Sequence, residues 1–78
     1  MKLTKKEVVI LKVLSNKEAV SASSFKDSMS VSECRKIVAS LRVKGFAEFV
    51  NLGFEDLNDF FFRRTPKCIR FLKENPIS

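Results

Sequence analysis

Ser30-Val31-Ser32-Glu33-Cys34-Arg35-Lys36-Ile37-Val38-Ala39-Ser40-Leu41-Arg42-Val43-Lys44-Gly45-Phe46 is the stretch whose reading decides the fold. Cys34, Ile37, Val38 and Leu41 stand at i, i+3, i+4 and i+7, an apolar stripe at helical period. Ser30 and Glu33 have the spacing of a capping box, in which each side chain satisfies a free backbone N–H of the first turn. A cap at Ser32 would start the helix two residues later, and the pattern allows both. Arg42 and Lys44 suit the negative end of the helix dipole. Gly45 follows where a left-handed residue ends a helix at low steric cost. The spacing predicts a helix over 31–44.

The neighbours of this helix follow from the same reasoning. Downstream, Phe46-Ala47-Glu48-Phe49-Val50-Asn51 alternates as a strand does, and Phe60-Phe61-Phe62-Arg63-Arg64 supplies a second strand. The segment between them, residues 52–59, carries Gly53 and Asn58 and must turn, which predicts a hairpin. Thr65-Pro66 then opens a last helix, with Thr65 as N-cap and Pro66 where a missing N–H does no harm. Cys68, Ile69, Phe71 and Leu72 give it an apolar side, and Asn75-Pro76 ends it. Upstream, Thr4 to Ser15 reads as an amphipathic helix: Thr4 and Glu7 form a capping box, Leu3 and Val8 a hydrophobic staple, and Val8, Ile10, Leu11, Val13 and Leu14 a wide apolar stripe. Val20 to Met29 is expected to be a short helix capped by Ser21 or Ser23, with Phe25 and Met29 facing the core. Its serine density makes it the weakest of the four helical segments.

Composition narrows the function. Seventy-eight residues form one domain, 1–78, with a thin core. The net charge of +6 favours a polyanionic partner. Cys34 and Cys68 both fall on apolar faces and read as buried, reduced thiols. With no histidine in the chain, two thiolates do not complete a zinc tetrahedron, so no metal and no cofactor is expected. The basic N-terminus lacks the apolar stretch of a secretion signal, and no run is long enough to span a bilayer. The expected location is the cytoplasm, with the nucleoid implied for a bacterial or phage protein. A glycine-rich phosphate loop and a clustered nucleophile and base are both missing, which disfavours an enzyme and leaves no evident small-molecule site.

The 30–46 stretch resembles the recognition-helix region of the winged helix-turn-helix regulators of the MarR and PadR groups. It has a serine-rich start, an apolar triad ending in Leu41, then a basic residue, Gly45 and an apolar residue entering the wing. Arg64-Thr65-Pro66-Lys67 is similar to that family's exit from the wing. The resemblance implies a mainly helical α+β fold with three helices, a two-stranded wing hairpin and a C-terminal helix. It also implies sequence-specific binding of duplex DNA by a small transcriptional regulator.

With Cys34, Ile37, Val38 and Leu41 inward, the helix 31–44 presents Ser32, Glu33, Arg35, Lys36, Ala39 and Ser40 outward. Short side chains there let a helix seat in a major groove about 12 Å wide, with Arg35 and Lys36 able to reach guanine or phosphate. Capping is the expected role of Glu33. Lys5, Lys6, Lys26, Arg63 and Arg64 are second candidates for phosphate contact. The wing departs from the family, because Glu55, Asp56 and Asp59 make it acidic while Leu52, Phe54 and Leu57 make it apolar. Phosphates would repel such a tip. It therefore either folds back on the core or meets a protein or a second copy of the chain. A winged-helix protein-interaction module using residues 52–59 is the competing reading, ahead of an RNA-binding domain or an enzyme accessory subunit. Salt dependence separates DNA binding from protein binding.

Overall fold

The computed structural model describes residues 3–50 and 59–76. Helix α1 spans Lys5–Leu14, strand β1 Ala19–Ser21, a 3-10 turn Ala22–Phe25, helix α2 Val31–Val43, strand β2 Ala47–Val50, strand β3 Phe61–Arg64 and helix α3 Pro66–Glu74. The described chain is thus a small α+β unit of three α-helices and a three-stranded antiparallel sheet, in the order β1-β3-β2.

Each α-helix begins where a hydroxyl can receive the free N–H groups of its first turn. Thr4 Oγ1 accepts from Glu7 N at 3.1 Å, and Glu7 Oε1 accepts from Thr4 N at 3.0 Å, which completes the capping box. Ser30 Oγ accepts from Glu33 N at 3.1 Å, so the helix starts at the first of the two caps the sequence allowed. The reciprocal half of that second box is missing, because the Glu33 carboxylate pairs instead with Lys6. Thr65 Oγ1 accepts from Cys68 N at 3.1 Å and donates to Gly45 O at 2.5 Å, tying the start of α3 to the end of α2. Gly45 has φ +86°, and a Cβ there would also lie 3.0 Å from Lys67 Cδ.

The strands place alternate residues on opposite faces. Val20, Phe62 and Phe49 share the register position facing the helices, and Ala19, Arg63 and Glu48 share the one facing away. Ile10, Leu11 and Leu14 of α1, Cys34, Val38 and Leu41 of α2, and Phe46, Phe62 and Cys68 are completely or almost completely buried. Domains of this size are stable by roughly 4–12 kcal/mol. Truncating Phe46 or Phe62 to Ala, at about 3–5 kcal/mol, would therefore remove much of the total. Both cysteines are free and buried, and burial pushes the Cys34 thiol up to about 11, with the negative charge of Asp59 adding to the effect.

Two expectations are corrected here. The segment from Val20 to Met29 is not an α-helix, and the sheet is not a simple hairpin. Val20 is drawn into β1 because it pairs opposite Phe62 over the core. The hydroxyls of the serines that follow bond one another and Asp59, which holds them in a 3-10 turn in place of an α-helix. Ser21 Oγ lies 3.0 Å from Ser23 Oγ and 3.2 Å from Ser24 Oγ, while Asp59 accepts from Ser23 N at 3.0 Å. After the 3-10 turn, Phe25 O accepts from Ser28 N at 2.8 Å and from Met29 N at 2.9 Å, the second in the α-helical pattern but carried no further. The segment still buries Phe25 and Met29, as their spacing required. Helix α3 is less covered than its pattern suggests: Cys68 is buried, Phe71 and Leu72 are half-buried, and Ile69 is exposed.

Candidate nucleic-acid interface

Helix α2 turns by about 100° per residue, so its thirteen residues and the Lys44 cap divide into four lengthwise stripes. Cys34, Val38 and Leu41 form the buried one. Glu33, Ile37, Ser40 and Lys44 run along the side next to α1. There Lys6 pairs with Glu33, Ser40 Oγ donates to Glu7 Oε2 at 3.1 Å, and Lys44 Nζ donates to the same oxygen at 2.6 Å. Val31, Arg35 and Arg42 make up the opposite row, where the Arg35 guanidinium lies 5.2 Å from the centre of the Phe60 ring. What remains is the outward stripe of Ser32, Lys36, Ala39 and Val43, all exposed, Val43 by 88%.

Glu7 anchors this arrangement. Only 3% of it is exposed, yet both carboxylate oxygens have partners: Oε1 takes the Thr4 N–H, and Oε2 takes Ser40 and Lys44. Burial acts to raise the Glu7 carboxyl, but the hydrogen bonds from Lys44, Thr4 and Ser40 outweigh it and hold the group below its ordinary value. One carboxylate thus caps α1 and fixes the angle at which the end of α2 lies against it.

The structure brings four of the sequence-selected residues together. Ser32, Lys36 and Ala39 share the outward stripe of α2, and Arg35 is exposed at its sheet-facing edge. Ser40 is exposed as a residue, but its hydroxyl is spent on Glu7. Lys6 is drawn to this helix by Glu33, and Lys5 and Lys26 are exposed without an ion pair among the described residues. Arg63 and Arg64 stand elsewhere. Alternation puts Arg63 on the sheet face turned away from α2, where its Nε donates to Glu48 at 2.5 Å across the strands. Arg64 Nη1 donates to Leu14 O at 2.9 Å, so this guanidinium closes the C-terminus of α1.

Asp59, counted from the sequence among the acids of the wing tip, is bound into the fold. Its oxygens accept from Ser23 N at 3.0 Å, Ser23 Oγ at 2.9 Å and Phe60 N at 2.8 Å. Partial burial works to raise its carboxyl, but these hydrogen bonds hold it below the ordinary aspartate value. The remaining wing candidates, Leu52, Phe54, Glu55, Asp56 and Leu57, lie outside the described residues.

Sequence reasoning missed two features of the site, the Glu7–Ser40–Lys44 cluster and the Arg35–Phe60 contact. The first had a signal: Glu33, Ser40 and Lys44 stand seven and four positions apart, a polar row along one flank of the apolar stripe and suited to a polar seam with another helix. The second depends on which ring of the Phe60–Phe61–Phe62 run meets α2, and only the strand register decides that.

Comparison with protein-family models, with curated proteins and with solved structures found no match. Among the described residues, no helix is long and apolar enough to cross a membrane.

Proposed function

We propose that this chain is a winged helix-turn-helix domain that binds duplex DNA by seating α2 in the major groove. The observation that carries the reading is the division of labour around α2. Three of its sides are held by the core, by α1 and by the sheet, while the fourth presents Ser32, Lys36 and Ala39 with Arg35 at its edge. Small and basic side chains on a rigidly held, outward helix allow close approach to base edges and phosphates.

The element order and the β1-β3-β2 sheet support the same fold, with the 3-10 turn and the Phe25–Met29 segment in the place of the helix that precedes the recognition helix. The net charge of +6 favours the encounter. Regulation of transcription is the role such a domain would serve.

Fluorescence anisotropy of a labelled duplex at two salt concentrations tests the proposal. Binding through several Lys and Arg contacts weakens by orders of magnitude between about 50 and 200 mM salt when six or more phosphates are engaged, and by less for a smaller footprint. Binding that does not respond to salt, or no binding at the lower concentration, would count against it.

A further inference from the structure

Arg35 is held differently from the paired cations Lys6 and Lys44 beside it. Lys6 and Lys44 meet carboxylates, and Arg63 on the far sheet face does so too. Arg35 instead lies over the Phe60 ring, 5.2 Å from its centre, and is exposed. The two kinds of contact leave different groups free. A carboxylate takes up the in-plane N–H fork of a guanidinium, whereas a ring face takes its flat side and leaves the N–H edge available.

The ring beneath Arg35 is itself fixed. Phe60 packs against Phe62 at 5.8 Å and against Phe49 at 5.5 Å, and Phe62 stacks on Phe25 at 6.1 Å inside the core. Its backbone is held at both ends, with its N–H on Asp59 and its carbonyl accepting from Ala22 N at 2.9 Å. A chain of rings thus runs from the core out to the Arg35 guanidinium at the exposed edge of α2.

We infer that Phe60 is a positioning residue for base readout: it presets the Arg35 guanidinium at the seam between α2 and the sheet, so that its free N–H edge meets one base pair with little ordering left to do. The inference rests on the DNA-binding reading above and deepens it. A preset side chain gives up less freedom on binding, so the gain falls on the one base pair that Arg35 reads and not on phosphate contacts in general.

The test uses a duplex recovered from a random library by selection with the wild-type chain, together with its single-base-pair variants and an unselected duplex. Phe60→Leu should weaken the selected duplex by about three- to tenfold, the size of a lost cation–π contact with its preorganisation. It should flatten the preference at the same base pair that Arg35→Ala flattens, and leave the unselected duplex nearly unchanged. Phe60→Trp, which keeps an aromatic face, should retain the preference. In an Arg35→Ala background, Phe60→Leu should add nothing.

Equal weakening on all duplexes, or the same loss with and without Arg35, would show a merely structural ring and overturn the inference. Unchanged affinity and base preference in Phe60→Leu would overturn it as well. A wild-type chain that binds duplexes with no base preference overturns the inference alone, and one that binds no duplex overturns the DNA reading with it. Should Phe60→Leu fail to fold, the free wild-type chain still decides. The Arg35 side-chain protons must show an upfield ring-current shift in its NMR spectrum, and their absence from shielded positions overturns the proposal.

Discussion

Replacing Glu7 with Ala removes three interactions at once, and the structure sets their scale. The capping contact to Thr4 N is worth about 1 kcal/mol. The Ser40 hydroxyl contributes a similar amount, and the charge-assisted bond from Lys44 about 1.5–3 kcal/mol. Lys44 is 24% exposed, so water reclaims part of what its ammonium loses. The net cost should be about 2–3 kcal/mol, well short of the roughly 3–5 kcal/mol of a fully sealed pair. For a domain of this length that lowers the melting temperature by roughly 10–20 °C.

The pH dependence has a definite sign. The Glu7 carboxyl sits below its ordinary value of 4.5 in the folded chain. Its contribution is therefore complete above the unfolded value and is lost as pH falls through the folded one. Circular-dichroism melts of wild type and Glu7→Ala across the acid range measure both effects. The gap between the two proteins should be widest near neutrality and close as the carboxyl protonates. A variant that melts within a degree or two of wild type at neutral pH would refute the reasoning, as would a gap that stays constant into strong acid.

Other consequences are more local. Asp59→Ala removes the acceptor of three hydrogen bonds and should destabilise the chain by about 1–3 kcal/mol, seen as a lower urea midpoint with an unchanged slope. Arg64→Met leaves the last carbonyls of α1 without their donor and should cost about 1–2 kcal/mol in the same assay. Its DNA affinity should keep the salt slope of wild type, because this guanidinium is taken up inside the fold; a shallower slope would return Arg64 to the interface.

Local chemistry made half of this fold readable from the chain alone. The starts of α1, α2 and α3 follow from Thr4, Ser30 and Thr65, and the end of α2 from Gly45, because capping and positive φ depend on residues within one turn. Strand β1 was not readable in this way. Three residues carry little periodicity, and Ala19-Val20-Ser21 becomes a strand only because Phe62 stands opposite Val20. The candidate site divides along the same line. The outward placement of Ser32, Arg35, Lys36 and Ala39 follows from the apolar stripe behind them. The commitments of Ser40, Arg64 and Asp59 are to partners 33, 50 and 36 positions away, beyond the reach of any local pattern.

The central claim is that the exposed side of α2 reads DNA, and the dissociation constant of a labelled duplex for Arg35→Ala/Lys36→Ala tests it most directly when a melt is run on the same sample. Losing two base or phosphate contacts should weaken binding by at least about tenfold. The melting temperature should fall by less than about 5 °C, since both side chains are exposed and only the Phe60 contact is lost with them. Undiminished affinity in a double variant that is correctly folded would contradict the claim.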